Sequence, residues 1–181
     1  MKWKKAGLLL LLAGLLALLA GCGKGDDKVL IFMSDKESSS REGIDQIQQK
    51  LDAEFTDPKA EFNYSPLFDL QKVMVEYAAG GNSIVILPKD TVQTYGRDGA
   101  HLALDEYFDK EKYPEGVFES GVLKDGEDDP VTEEHLFGIP VDQMKMFQDA
   151  GYVPKDMLAC VVVNAPNADA AIKVLQKLTE G

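Results

Sequence analysis

Val29-Leu30-Ile31-Phe32-Met33 is an unbroken apolar run, and Ser83-Ile84-Val85-Ile86-Leu87 repeats the type further along the chain. A strand with one wet face alternates apolar and polar residues. A run without alternation reads as a strand buried on both faces, as in a parallel sheet covered by helices. Ser34-Asp35-Lys36-Glu37-Ser38 closes the first run as a polar loop, and Pro88-Lys89-Asp90 closes the second.

The segment between the two runs has helical signals. Ser39 with Glu42 fits a capping box, and Ile44, Ile47, Leu51 and Phe55 then recur at spacings of three and four, forming one apolar stripe. Asp57-Pro58 ends that helix. Residues 60–64 alternate and predict a second strand. Ser65-Pro66-Leu67-Phe68 leads to Asp69, the expected N-cap of a helix over 70–79 with Leu70, Val73, Met74 and Tyr77 as its buried face. Gly80-Gly81 ends it, as glycine does where the chain turns left-handed. Asp90 is expected to cap a short helix through Tyr95. This alternation of strand and helix predicts an α/β fold, a single three-layer domain with a mostly parallel sheet and helices on both faces.

The middle of the chain is less regular. Leu102, Leu104, Tyr107 and Phe108 predict a packed turn, and residues 117–123 and 135–141 predict strands. Between these strands lies the acidic turn Lys124-Asp125-Gly126-Glu127-Asp128-Asp129-Pro130. Asp142 is expected to cap a helix that Gly151 closes. Residues 158–163 predict the last strand. Asn167 is the expected cap of the last helix, with Ala171, Ile172, Leu175 and Leu178 as its stripe.

Ahead of all this stands MKWKKAGLLLLLAGLLALLAGC. Lys2, Lys4 and Lys5 precede an uncharged apolar run over 6–20, which is shorter than the roughly 20 apolar residues of a spanning helix. With Leu19-Ala20-Gly21-Cys22 behind it, the segment resembles a bacterial lipoprotein signal. The resemblance implies cleavage before Cys22 and a mature chain that begins at a lipidated, palmitate-bearing Cys22. It divides the sequence into a signal peptide (1–21), a tether (22–28) and one α/β lobe (29–181). The alternative is an uncleaved anchor helix. Both place the rest of the chain on the extracytoplasmic face of the cell membrane.

Removing residues 1–21 from the 181 leaves 160, enough for one good core. The net charge of -12 becomes -15 once the three signal lysines are gone. A surface this acidic argues against nucleic acid and against adsorption to anionic lipid. Cys160 has no partner if Cys22 is acylated, and its apolar surroundings mark it as a small core residue.

Three segments together resemble the first lobe of the extracellular solute-binding proteins that serve ABC importers, in their sugar-binding branch. They are Tyr77-Ala78-Ala79-Gly80-Gly81-Asn82-Ser83-Ile84-Val85-Ile86-Leu87-Pro88, then Tyr95-Gly96-Arg97-Asp98-Gly99-Ala100-His101-Leu102-Ala103-Leu104-Asp105-Glu106-Tyr107-Phe108, and then Leu136-Phe137-Gly138-Ile139-Pro140-Val141. The tail from Val161 through Ile172 is similar to that family's return strand and following helix. The resemblance implies one lobe of a periplasmic binding protein, associated with an importer and binding a solute such as a carbohydrate. The chain also departs from the family. The segment that would build a second lobe is missing, Ser83-Ile84 stands where the family often has an aspartate, and residues 34–40 hold no aromatic ring for stacking on a sugar. A closed clamshell therefore cannot form within one chain.

No residue set argues for catalysis, a cofactor or a metal. His101 and His135 lack a second histidine at metal-ligand spacing and read as surface or strand-edge residues. No Gly-x-Ser-x-Gly elbow occurs. Residues 125–129 read as a solvated turn, with weak calcium attraction as the alternative. In open α/β sheets ligands sit outside the carboxyl ends of the strands. Those ends offer Ser34, Asp35, Ser65, Phe68, Lys89 and Asp90 as candidate contacts to a small polar solute or sugar. Each also has a local use, Ser34 and Asp35 in a turn and Asp90 as a cap. The competing expectation is a protein-interaction module that self-associates or holds an envelope partner through the face a second lobe would cover.

Overall fold

The computed structural model describes residues 28–37, 40–122, 124 and 130–181. In chain order its elements are β1 (Lys28–Ser34), α1 (Arg41–Glu54), β2 (Lys59–Ser65), α2 (Leu70–Ala79), β3 (Ile84–Pro88), α3 (Lys89–Gly96), β4 (Val117–Val122), β5 (Val131–Leu136), β6 (Ile139–Pro140), α4 (Lys145–Asp149), β7 (Met157–Val161) and α5 (Ala168–Glu180). A five-stranded sheet runs β2-β1-β3-β7-β6. β1 pairs in parallel with β2 and β3, whereas β7 is antiparallel to both of its neighbours, so four of the five strands share one direction. The fold is mixed α/β, with a mostly parallel central sheet flanked by helices.

The apolar runs sit where their lack of alternation puts them. Every residue of β3 and β7 is buried, as are Val29, Ile31, Phe32 and Met33 of β1. β2, at the sheet edge, keeps its alternation: Ala60 and Ser65 are buried while Lys59, Glu61 and Asn63 are exposed. The two sheet faces carry separate clusters. On one, Ile31, Met33, Ile84 and Ile86 join Ile47 and Leu51 of α1 and Leu175 and Leu178 of α5. On the other, Phe32, Val85, Leu87 and Cys160 join Val73 of α2, Val92 of α3 and Phe118 of β4.

Several ends and faces differ from the sequence expectation. α1 is capped by Ser40, whose hydroxyl accepts from the Gly43 N–H at 3.1 Å; Ser39 lies outside the described residues. Gly43 is required there, because a Cβ would stand 2.5 Å from the Tyr152 Cβ. α2 has the expected bounds. Asp69 Oδ1 accepts from the N–H groups of Gln71 and Lys72, at 2.7 and 3.2 Å, and Gly80 closes the helix at φ 64°. Its expected buried face fails, however. Only Val73 is buried, Tyr77 is half-buried, and Leu70 and Met74 stand in solvent. The stripe identified residues on a common side but not how far a neighbour extends over it. Tyr77 stacks on Tyr95 with ring centroids 4.3 Å apart, and the N-terminal half of the stripe overhangs that contact.

Asp90 is not the cap of α3. The Lys89 N–H is taken by the Asp156 carbonyl at 2.8 Å, and the helix starts two residues earlier than an Asp90 cap would set it, with Pro88 in the cap position. Asp142 is likewise not a cap. It lies in a single 3-10 turn over Val141–Gln143, and α4 begins at Lys145. The expected strand over 135–141 is two pieces. His135 sits near the end of β5, which pairs with β4 in a two-stranded hairpin, and β6 joins the main sheet. Gly138 allows that crossing, since a Cβ there would meet Cys160 Sγ at 2.8 Å. The acidic turn over 125–129, like residues 1–27, lies outside the described residues. α5 matches its expectation: Asn167 accepts from the Ala170 N–H at 3.0 Å, and Ala171, Ile172, Leu175 and Leu178 are buried.

Candidate functional site

The carboxyl ends of β1, β2 and β3 meet at one edge of the sheet, with the loops that follow them. Ser34, Asp35 and Ser65 are buried there and already occupied. The Ser34 hydroxyl faces the carbonyls of Ser65 and Leu67, at 3.5 and 3.3 Å, and the Ser65 hydroxyl donates to the Leu67 carbonyl at 3.0 Å. Asp35 accepts from the Glu37 N–H at 3.0 Å through Oδ1 and from the Tyr152 hydroxyl at 3.3 Å through Oδ2. These contacts brace the loops from β1 to α1 and from β2 to α2. Phe68, Lys89 and Asp90 are more open and face the space above them.

That space consists of adjoining open hollows. One, of about 420 Å3, is lined by Asp35, Lys36, Lys89, Asp90, Lys155 and Asp156 among others. A second, of about 500 Å3, lies between α2 and α3 and is lined by Phe68, Leu70, Met74 and Tyr95. Lys36 and Asp90 line both. The Lys36 ammonium lies 2.6 Å from Asp90 Oδ2 and 5.3 Å from the centre of the Phe68 ring, so it divides the polar hollow from the apolar one. The bond from Lys36 is the main influence holding the Asp90 carboxyl below the usual carboxylate range.

The structure brings together four of the six sequence candidates around the hollows, Asp35, Phe68, Lys89 and Asp90, Ser34 and Ser65 being internal, and adds residues that sequence reasoning missed. Lys36 lies in the quoted loop but is distinguished only by its contacts. Lys155 and Asp156 belong to a Pro154-Lys155-Asp156 turn that copies Pro88-Lys89-Asp90 in composition. Because β7 is antiparallel, its amino end reaches the edge where the other strands finish. The repeated Pro-Lys-Asp was the available signal, and using it required the direction of β7.

The histidines stand elsewhere. His101 was expected at the surface or a strand edge. It does form a β-bridge with Val162, but it is buried, with Nε2 2.7 Å from the Tyr77 hydroxyl. Its Nδ1 is buried without a hydrogen-bond partner among the described residues, and burial lowers its pKa to about 4. Tyr77 and Val162, both far from it in sequence, lie against His101, which residues 99–104 alone do not reveal. His135 is half-buried between Asp105 and Glu133, each 3.1 Å away. Cys160 is a buried free thiol, and burial pushes its pKa up.

Among the described residues no group of three or more His, Cys, Asp or Glu side chains is placed to hold a metal ion. No described helix is long and apolar enough to cross a membrane. No family model, no curated protein and no solved structure matches the chain.

Proposed function

We propose that the chain is a lipid-anchored extracytoplasmic lipoprotein whose non-catalytic domain binds a small polar solute or sugar at the carboxyl edge of its sheet. In this reading Cys22 carries the lipid, and the domain is a three-layer unit similar to one lobe of an ABC importer's solute-binding protein. The observation that carries it is the polar hollow where Asp35, Lys36, Lys89, Asp90, Lys155 and Asp156 converge. Carboxylates that accept and ammonium groups that donate stand at the place where open α/β sheets hold ligands. Apolar clusters with helices on each sheet face support the three layers. The buried hydroxyls are spent on main-chain carbonyls, so the reading assigns Ser34 and Ser65 to shaping the edge.

One open lobe cannot enclose most of a ligand, so binding is weak. Calorimetry of the full chain against a panel of sugars and oligosaccharides tests this. A saturable signal that Lys89→Ala and Lys155→Ala diminish is expected, and silence across the panel refutes the solute. Intact mass analysis of the membrane fraction tests the anchor: a lipid-bearing Cys22 terminus is expected, and a retained Met1 or an unmodified Cys22 terminus refutes it.

A further inference from the structure

β2 forms one edge of the five-stranded sheet, with β1 as its neighbour there. An edge strand presents unpaired N–H and C=O groups, a template on which another chain can add a strand. The opposite edge, β6, is two residues long and too short to serve. β2 has seven residues, with Phe62 in the middle. A bridge between Thr56 and Lys59 covers its first residue. The next stretch is covered by a side chain. Gln48 of α1 donates from Nε2 to the Ala60 carbonyl and accepts the Phe62 N–H through Oε1, both at 2.8 Å. A residue opposite Glu61 in a parallel neighbouring strand would bond in the same way, donating to residue 60 and accepting from residue 62. Nε2 also donates to Asp52 Oδ1 at 2.9 Å, one turn further along α1, which fixes the direction of the amide.

We propose that Gln48 closes this edge: its amide fills the place of a sixth strand and keeps a second copy of the chain from pairing along β2. The two bonds are not what holds α1 down, since that helix buries Ile44, Ile47 and Leu51 in the core. What they remove is the pairing capacity of the strand's centre. Two copies meeting antiparallel about Phe62 would exchange N–H and C=O bonds between their Phe62 residues. Glu61 of each would then stand opposite Asn63 of the other, so no like charges would face each other at the axis. The N–H that Gln48 holds is the one this central pair needs. Gln48 is itself half-buried, so the guard sits against the edge rather than in solvent.

The test follows hydrogen exchange of the β2 amides by mass spectrometry. It uses the full chain in detergent micelles, at two protein concentrations a hundredfold apart, with chemical cross-linking of the same samples. The parent is expected to be monomeric, with its Phe62 N–H equally protected in both. Gln48→Ala removes the amide while favouring the helix. Its Phe62 N–H should exchange at least tenfold faster than the parent's in the dilute sample. In the concentrated sample protection should return, together with a cross-linked dimer. Asp52→Ala, at an exposed position, frees the amide to turn and should move Phe62 exchange the same way by a smaller factor, which keeps the proposal open to refutation should Gln48→Ala fail to fold. Gln49→Ala, exposed on the same helix, should match the parent. Phe62 exchange indifferent to both Gln48→Ala and Asp52→Ala overturns the proposal. So does faster exchange that concentration does not slow and no dimer accompanies, which would make Gln48 a brace between α1 and β2 and nothing more. A parent that already cross-links through β2 overturns it as well.

Discussion

α2 and α5 both carry an apolar stripe at helical spacing, both are capped by a side chain from the preceding residue, and they use those stripes in opposite ways. α5 buries Ala170, Ala171, Ile172, Val174, Leu175 and Leu178 against the sheet and α4. α2 buries Val73, stacks Tyr77 on Tyr95, and leaves Leu70 and Met74 in water. A stripe fixes which side chains share a side of the helix. Whether that side becomes core depends on what the rest of the chain places over it.

The comparison is open to direct attack. The largest expected effect is at α5: Leu175→Ala should cost about 3 kcal/mol of unfolding free energy, from lost burial and the cavity left behind. Urea unfolding of the full chain measures it, and a loss below about 1 kcal/mol would mean that α5 is not the better-packed helix. The second concerns the polar tie between α2 and the sheet. His101 has a folded pKa of about 4, against roughly 6.5 when unfolded. Between those values the unfolded chain binds more protons, so stability falls as pH drops from 6.5 towards 4. The buried shift corresponds to up to ~3 kcal/mol, shared with whatever the carboxylates contribute. His101→Gln keeps a donor for the Tyr77 hydroxyl and should flatten the pH dependence in that window. An unchanged slope would show that His101 is not the proton-sensitive contact.

A smaller effect belongs to the cap of α2. Asp69→Ala frees the N–H groups of Gln71 and Lys72 and should cost about 1 kcal/mol, seen as a lowered melting temperature. The smallest is the sharpest for the comparison. Leu70→Ala should stay within about 0.5 kcal/mol of the parent, as exposed substitutions do. A larger loss would mean that α2 is covered in solution.

Much of the fold was legible before the structure. Runs such as 29–33 and 83–87 declare buried strands because nothing polar interrupts them. Asp69, Gly80 and Asn167 end or begin helices through local chemistry that needs no distant partner. The failures have two causes. Asp90 and Asp142 have the chemistry of caps, but a carbonyl from Asp156 and a 3-10 turn at Val141 determined where the backbone turned. His101 reads as polar and exposed until Tyr77 and Val162 close over it. At the candidate site, Lys89 and Asp90 follow from strand direction, whereas Lys155 and Asp156 enter only through the reversal of β7. The misses at Asp90, His101, Lys155 and Asp156 depended on contacts far off in sequence, which composition and spacing do not encode, whereas the one at Asp142 turned on a local 3-10 turn.

The buried thiol of Cys160 has a practical consequence. With Cys22 blocked by lipid as proposed, the remaining sulfhydryl is sealed in the sheet and held protonated. A single cysteine introduced anywhere on the surface would then be the one group that takes up a thiol-directed dye or spin label. Placed at Lys59, the first residue of β2, and at Leu67, two residues past its last, such reporters would make the standing height and tilt of the domain above the proposed bilayer a measurable distance.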